Sequence, residues 1–363
     1  MQRNPAMPRR GSTPRSRGDT PRVFVTRPIA EAALRRLAAT ARVDLWDAEM
    51  PPPRAELLAR ARQADAVLSM VTDRFDAAAI EALPRLRAIS NFAVGVDNID
   101  LTAATRAGIP VGHTPGILTE TTADLAFALL MAAARRVVEG DRYVRAGRWR
   151  TWGPKVMLGR DIHGATLGII GFGAIGQAMA RRAAGFGMRV LYVPRPHHRE
   201  AVDDGLSLSR PATSRTRRPR AGEKLRPKAV PLARLLAESD FVSLHVPLTS
   251  ATRHMIGAHE LSAMKHGAIL VNTARGPVVD QAALALALRS GRLAAAALDV
   301  TDPEPIRRDD PLLRMPNVII TPHIGSASHA TRLKMAETAV DNLFDVFAGR
   351  LPRHCANPGV RPR

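Results

Sequence analysis

The chain has 363 residues, 45% of them hydrophobic and 24% charged, a size and balance that suit two ordinary globular domains. No apolar run approaches the roughly 20 residues that span a bilayer, and the first residues lack the apolar core of a secretion signal, so neither a membrane protein nor a secreted one is expected. A lone cysteine, Cys355, excludes an internal disulfide and a Cys-rich metal site. That thiol reads as a tail residue without a role, and a reducing, cytoplasmic setting without a bound metal is the expectation.

The net charge of +20 invites a nucleic-acid reading, but its location argues otherwise. Residues 1–22 carry Arg3, Arg9, Arg10, Arg15, Arg17 and Arg22 against Asp19, and residues 203–230 carry eight basic side chains against three acids. With the four arginines of 350–363, these stretches hold +14 of the total. All three are rich in Pro, Gly or Ser and are expected to be flexible. No aromatic residues interleave them and no groove-reading motif accompanies them, so nucleic-acid binding is not expected.

Taken in chain order, short β-branched runs alternate with Ala/Leu-rich stretches from Val23 onward. Strands are predicted over 23–26, 43–46, 66–70, 86–90 and 110–113, with helices over 30–39, 54–62, from Asp76, and over 101–107. Such alternation makes a parallel α/β sheet. A long helix follows from Thr121, where Thr121 and Asp124 have capping-box spacing. Its run 125–138 is apolar on nearly every side, as in a helix buried between domains or subunits. A second series then supplies six strands, 166–171, 189–193, 240–246, 268–272, 294–299 and 318–321, matching the doubly wound dinucleotide-binding plan. One last helix, 327–348, is expected to pack back on the first domain. The stretch 203–228 reads as an insertion after the second strand of the series.

Gly171-Phe172-Gly173-Ala174-Ile175-Gly176 follows a predicted strand and opens a helix at about Gln177. In that context GxGxxG is a dinucleotide signature: Gly171 permits the turn, Gly173 lets the backbone approach a diphosphate, and Gly176 lets helix and sheet pack closely. The end of the next strand carries no acid, only Val193-Pro194-Arg195-Pro196. An acid there would repel a 2′-phosphate, whereas Arg195 can pair with one. NADP(H) is therefore preferred, with NAD(H) possible.

Three later segments end predicted strands: Asn272-Thr273-Ala274-Arg275-Gly276, Asp299 to Pro305 including Glu304, and Thr321-Pro322-His323-Ile324-Gly325. Ligands bind beyond the strand C-termini in open α/β sheets. A guanidinium there can clamp a carboxylate and keto oxygen, an imidazolium can give a proton, and a carboxylate can orient the ring. His197, His198 and His266 lack such company and read as surface residues.

With these segments in order, the chain from about 22 to 350 resembles the D-isomer-specific 2-hydroxyacid dehydrogenase family, and is most similar to its glyoxylate/hydroxypyruvate reductase branch. The resemblance implies two Rossmann-like doubly wound parallel-sheet domains with an active-site cleft between them. A flavodoxin-like substrate domain would take 22–119 and 322–350, and the dinucleotide domain 120–321. Outside these lie a basic extension over 1–21, the 203–228 insertion and a flexible tail over 351–363. It further implies that Arg275 binds substrate, that His323 is the acid/base, and that Glu304 orients His323 and raises its pKa. Backbone at Val94 and Gly95 would hold the substrate carboxylate. Asp299 would lie near the nicotinamide or tune the acid/base pair. The expected cofactor set is the Gly171–Gly176 turn with Pro194, Arg195, Pro196, Val246, Pro247, Thr252, Thr273, Ala274, Asp299, His323 and Gly325. Members of the branch are homodimers in which a tryptophan reaches the partner's active site, and Trp152 matches that position. A D-lactate or phosphoglycerate enzyme, or a dinucleotide-sensing binding protein, is the alternative. Glu304 argues against formate oxidation.

Overall fold

A computed structural model describes residues 20–194 and 226–362. It divides into two compact units, one running to Thr114 and resuming at Ala336, the other Pro115–Met335. The sequence places these divisions after 119 and 321. The last helix, His329–Phe347, runs across the second of the observed divisions.

The first unit alternates β1 (Arg22–Val25), α1 (Glu31–Ala38), β2 (Arg42–Leu45), α2 (Arg54–Ala61), β3 (Ala66–Ser69), α3 (Ala77–Glu81), β4 (Ala88–Asn91), α4 (Leu101–Arg106) and β5 (Val111–Gly112). Its parallel sheet has the order β2-β1-β3-β4-β5, a doubly wound arrangement. β3 and β4 are buried along their whole length, as parallel strands covered on both faces must be. Asp76 and Asp100 start α3 and α4 by accepting the N–H of Ala79 and Ala103, which satisfies donors the helix leaves open.

The expected flexible tail is not one over 351–362. Cys355 pairs in antiparallel fashion with Gly112, and Ala356 N–H donates to Val111 O at 2.7 Å. Val111 N–H donates to Asn357 Oδ1 at 2.8 Å, and Val360 is buried. A short edge strand with unpaired backbone groups attracts such a cover. Cys355 is half-buried by it, and that burial raises its thiol pKa.

The second unit opens with α5 (Thr119–Ala134) and α6 (Val137–Arg145). The continuous apolar helix of the sequence reading is therefore broken. Arg136 adopts a left-handed backbone with φ 54°, and Arg160 N–H takes the freed carbonyl of Ala134 at 2.8 Å. Thr121 does not cap this helix either. It is the third residue of the helix, within its first turn, its hydroxyl 2.6 Å from that of Thr331, while Asp124 pairs with Arg182.

Then come β6 (Thr166–Ile170), α7 (Ala174–Gly185), β7 (Arg189–Val193), β8 (Lys228–Ala229), α8 (Leu232–Glu238), β9 (Phe241–Leu244), α9 (Ala258–Ala263), β10 (Ala268–Asn272), α10 (Gln281–Arg289), β11 (Leu293–Leu298), β12 (Val318–Ile320) and α11 (His329–Phe347). The sheet order is β12-β11-β10-β9-β6-β7-β8, and every pairing is parallel. Seven strands replace the expected six. β8 has two exposed residues and no hydrophobic run, so no periodicity announces it, and it occupies the end of the supposed insertion. Residues 203–225 of that insertion, and the 1–19 part of the extension, lie outside the described residues. No helix among the described residues is long and apolar enough to cross a membrane.

Candidate active site

The glycine turn stands where β6 meets α7, and α7 begins at Ala174, three residues earlier than the sequence suggested. Gly171 has φ +96°, and a Cβ there would lie 2.4 Å from His245 O. At Gly176 a Cβ would meet Gly171 O at 2.2 Å. Neither position accepts a side chain, so the backbone stays bare where a diphosphate would rest on the first-turn N–H groups. Phe172 stacks on Tyr192 of β7 with centroids 4.0 Å apart, fixing the turn against the next strand. Pro194 is exposed at the end of β7. Arg195 and Pro196 lie outside the described residues.

The loop after β9 borders this turn at His245 and Val246, and β10 lies beside β9. Thr252 Oγ1 donates to Pro247 O at 2.7 Å and accepts Thr249 N–H at 2.8 Å, pinning the Val246–Thr252 segment. Asn272 is buried at the end of β10; its Nδ2 donates to Arg275 O and its Oδ1 accepts Ala274 N–H. The Thr273 hydroxyl is buried with no partner, an unsatisfied group of the kind a bound polar ligand completes.

β10, β11 and β12 are adjacent and parallel, so Arg275, Glu304 and His323 leave the same edge of the sheet. A Cβ at Gly276 would lie 1.9 Å from Thr301 O, so the Arg275 loop packs directly on the Asp299–Pro305 loop. His323 Nδ1 lies 2.5 Å from Glu304 Oε1. The carboxylate can only accept, which makes Nδ1 the donor and aims the other nitrogen away.

His323 itself has φ 54°, a region costing an ordinary residue about 1–3 kcal/mol. Asp299 holds it there. The Asp299 side chain is buried and accepts Thr321 Oγ1 at 2.6 Å and Ile324 N–H at 2.8 Å on one oxygen, and Gly325 N–H at 2.7 Å on the other. Its backbone carbonyl takes His323 N–H at 2.9 Å.

Two neighbours were not visible in the sequence pattern. Arg332 of α11 is half-buried; desolvation lowers its pKa, while Asp299 pulls it back up. His245 follows β9 with its Nε2 2.9 Å from Ser243 Oγ, and burial drives its pKa down to about 4. A histidine at a strand end carries no pattern that separates it from a surface one.

In the first unit, Val94 and Gly95 lie on the loop after β4. Thr114 N–H donates to Ala93 O at 2.9 Å, His113 Nδ1 lies 2.9 Å from Val94 O, and Asn91 Nδ2 donates to Gly95 O at 2.9 Å. Among the described residues, the N–H groups of Val94, Gly95 and Val96 meet no protein acceptor. Successive free amides of this sort are suited to an anion.

A bare glycine turn opening a helix, with a carboxylate-held imidazole and a guanidinium loop at the same sheet edge, defines a dinucleotide-dependent oxidoreductase. The family model for the D-isomer specific 2-hydroxyacid dehydrogenase NAD binding domain matches residues 127–212 and 209–325. A glyoxylate reductase of Korarchaeum cryptofilum (strain OPF8) is 52% identical over 341 residues, covering 94% of this chain and 97% of that protein. The crystal structure of a Thermus thermophilus protein matches with a TM-score of 0.80 at 46% identity, covering 92% of this chain and 99% of its own. The NADPH-dependent glyoxylate/hydroxypyruvate reductase of Sinorhizobium meliloti, solved with NADP and malonate, matches with a TM-score of 0.78 at 31% identity over 95% and 99% of the two chains.

The chain belongs to the D-isomer-specific 2-hydroxyacid dehydrogenase family. It is an NAD(P)-dependent oxidoreductase acting on CH–OH groups, and it is similar to glyoxylate reductases over most of its length.

Proposed function

We propose that this enzyme reduces a small 2-oxo acid, glyoxylate or hydroxypyruvate, to the 2-hydroxy acid, of D configuration where a stereocentre forms. The observation that carries the reading is the 2.5 Å contact of His323 Nδ1 with Glu304, which dedicates one ring nitrogen to orientation and leaves the other for the substrate. His323 then gives its proton to the carbonyl oxygen as that oxygen gains charge. Arg275 binds the carboxylate and keto oxygen in bidentate fashion, and the Val94 and Gly95 amides hold the carboxylate. When bound, the reduced nicotinamide supplies the hydride.

The dinucleotide would rest on Gly171–Gly176, with Val246, Pro247, Thr252, Thr273, Ala274, Asp299 and Gly325 around it. Pro194, Arg195 and Pro196 would meet the adenosine ribose. The absence of an acid at the end of β7 favours NADPH, as does the NADP complex of the Sinorhizobium meliloti relative. Rates with glyoxylate, hydroxypyruvate, pyruvate and phosphohydroxypyruvate, each with both reduced nicotinamides, test all of this. Turnover of the first two with NADPH is expected; no turnover of any oxo acid overturns the reading.

A homodimer is part of the same proposal. Trp152 is 79% exposed, and Val137, Trp149 and Leu158 are each more than half exposed along the same stretch. So much bare apolar surface in 131–158 calls for a partner, and a second copy that receives Trp152 beside its substrate satisfies it. Sedimentation of the wild type against Trp152→Ala checks the assembly, with a dimer expected for the wild type.

A further inference from the structure

We propose that Asn91 and His113 are positioning residues that aim a cradle of three amides, those of Val94, Gly95 and Val96, at the substrate carboxylate. The inference rests on the reading that Val94 and Gly95 hold that carboxylate, and it extends the cradle by Val96 and explains its shape.

The peptide bond is planar. In a trans peptide, the carbonyl of one residue and the N–H of the next point in opposite directions. A group that fixes a carbonyl therefore fixes the following N–H. Three consecutive carbonyls are fixed here: Ala93 O by Thr114 N–H, Val94 O by His113 Nδ1, and Gly95 O by Asn91 Nδ2. The three N–H groups that follow are those of Val94, Gly95 and Val96, which no protein group accepts among the described residues. All the bracing donors sit on the carbonyl side, so the amide donors are left for a ligand. The ligand class follows from the sign: a group that only accepts, such as a carboxylate, matches three donors with no acceptor among them.

The braces are themselves held. Asn91 is fully buried; the Gly95 carbonyl only accepts, so Nδ2 faces it, and Oδ1 accepts Ser69 Oγ at 3.0 Å. Asn98 joins from the far side, donating to Met70 O and Asp73 O. His113 must carry its proton on Nδ1, because the carbonyl of Val94 only accepts. The backbone of His113 is clamped on both polar groups, its N–H by His354 O at 3.0 Å and its carbonyl by Asn342 Nδ2 at 2.9 Å.

Four variants of the full-length enzyme test this. Replacing Gly95 or Val96 by the corresponding α-hydroxy acid turns one peptide into an ester and deletes one N–H. Each should raise the oxo-acid KM about ten-fold, the worth of one hydrogen bond to a charged group, while the dinucleotide KM stays unchanged. His113→Phe and Asn91→Ser should raise the same KM by a similar factor without touching the dinucleotide. The ester at Gly95 should then add little to His113→Phe, because that amide is already misdirected. A merely structural role would lower thermal stability without the selective KM change or the non-additivity. His113 is only partly buried, so its variant serves even where the Asn91 variant fails to fold. If the esters raise the oxo-acid KM and His113→Phe does not, the positioning role is wrong and the carboxylate reading stands. If the esters too leave KM unchanged, the carboxylate reading itself fails.

Discussion

The His323 loop and the Val94 loop are braced with opposite chemistry. Around His323 the brace is a carboxylate: Asp299 consumes the N–H groups of Ile324 and Gly325, so that backbone has few donors left and the side chain does the work. Around Val94 the braces are donors, an amide and an imidazole, which consume carbonyls and spare the N–H groups. The sign of the buried bracing group thus decides what a loop presents. An acceptor leaves a side chain on display, and a donor leaves a row of amides. The two loops should accordingly fail in different kinetic constants.

The largest effect expected is from His323→Gln, which removes the proton donor and should lower kcat by about 10³-fold with dinucleotide affinity unchanged, measured by turnover and by quenching of protein fluorescence. Wild-type kcat in this variant would end the comparison. Asp299→Asn comes next. It keeps the shape but loses the charge that receives three donors, so kcat should fall roughly 10- to 100-fold, in line with the loss of one or two charge-assisted bonds. The same variant should spare the oxo-acid KM, the constant assigned to the other loop.

Acid sharpens the contrast through His245, whose carbonyl closes over Gly171. The ring has an ordinary value of 6.5 and is pushed down to about 4. Between those values the unfolded chain binds the proton and the folded one does not. Stability is therefore complete above about pH 6.5 and declines as pH falls towards 4, by up to about 3 kcal/mol. His245→Gln should flatten that decline in urea melts taken across the window. The smallest effect is expected from removing residues 351–363, which releases one of the two clamps on the His113 backbone. The oxo-acid KM should rise about three-fold, a fraction of one hydrogen bond's worth, with kcat unchanged; an equal fall in kcat would erase the distinction between the loops.

The parts of the molecule that were legible in the sequence are those whose chemistry is local. The glycine turn needs Gly171 and Gly176 because neighbouring backbone fills the space of a Cβ, and that demand is written as spacing. Arg275, Glu304 and His323 are legible as a set because each follows the end of a strand, and the family resemblance implies that Glu304 serves His323. What escaped was settled by partners distant in the chain. β8 is made by its pairing with Leu191 and Tyr192 of β7, and its Lys228–Ala229 pair carries no apolar run that would announce a strand. The break at Arg136 follows from Arg160 reaching back to Ala134. The order in 351–362 depends on β5, and the burial of His245 and Arg332 on elements packed over them.

One consequence of the covered β5 edge concerns the order in which the protein is made. Val111 and its partner Asn357 are 246 positions apart, so a chain emerging from the ribosome displays that bare strand while the entire second unit is being synthesised. An uncovered parallel edge is a template for misassociation. The unit begun first is finished last, and its safety until then depends on how briefly the gap stays open.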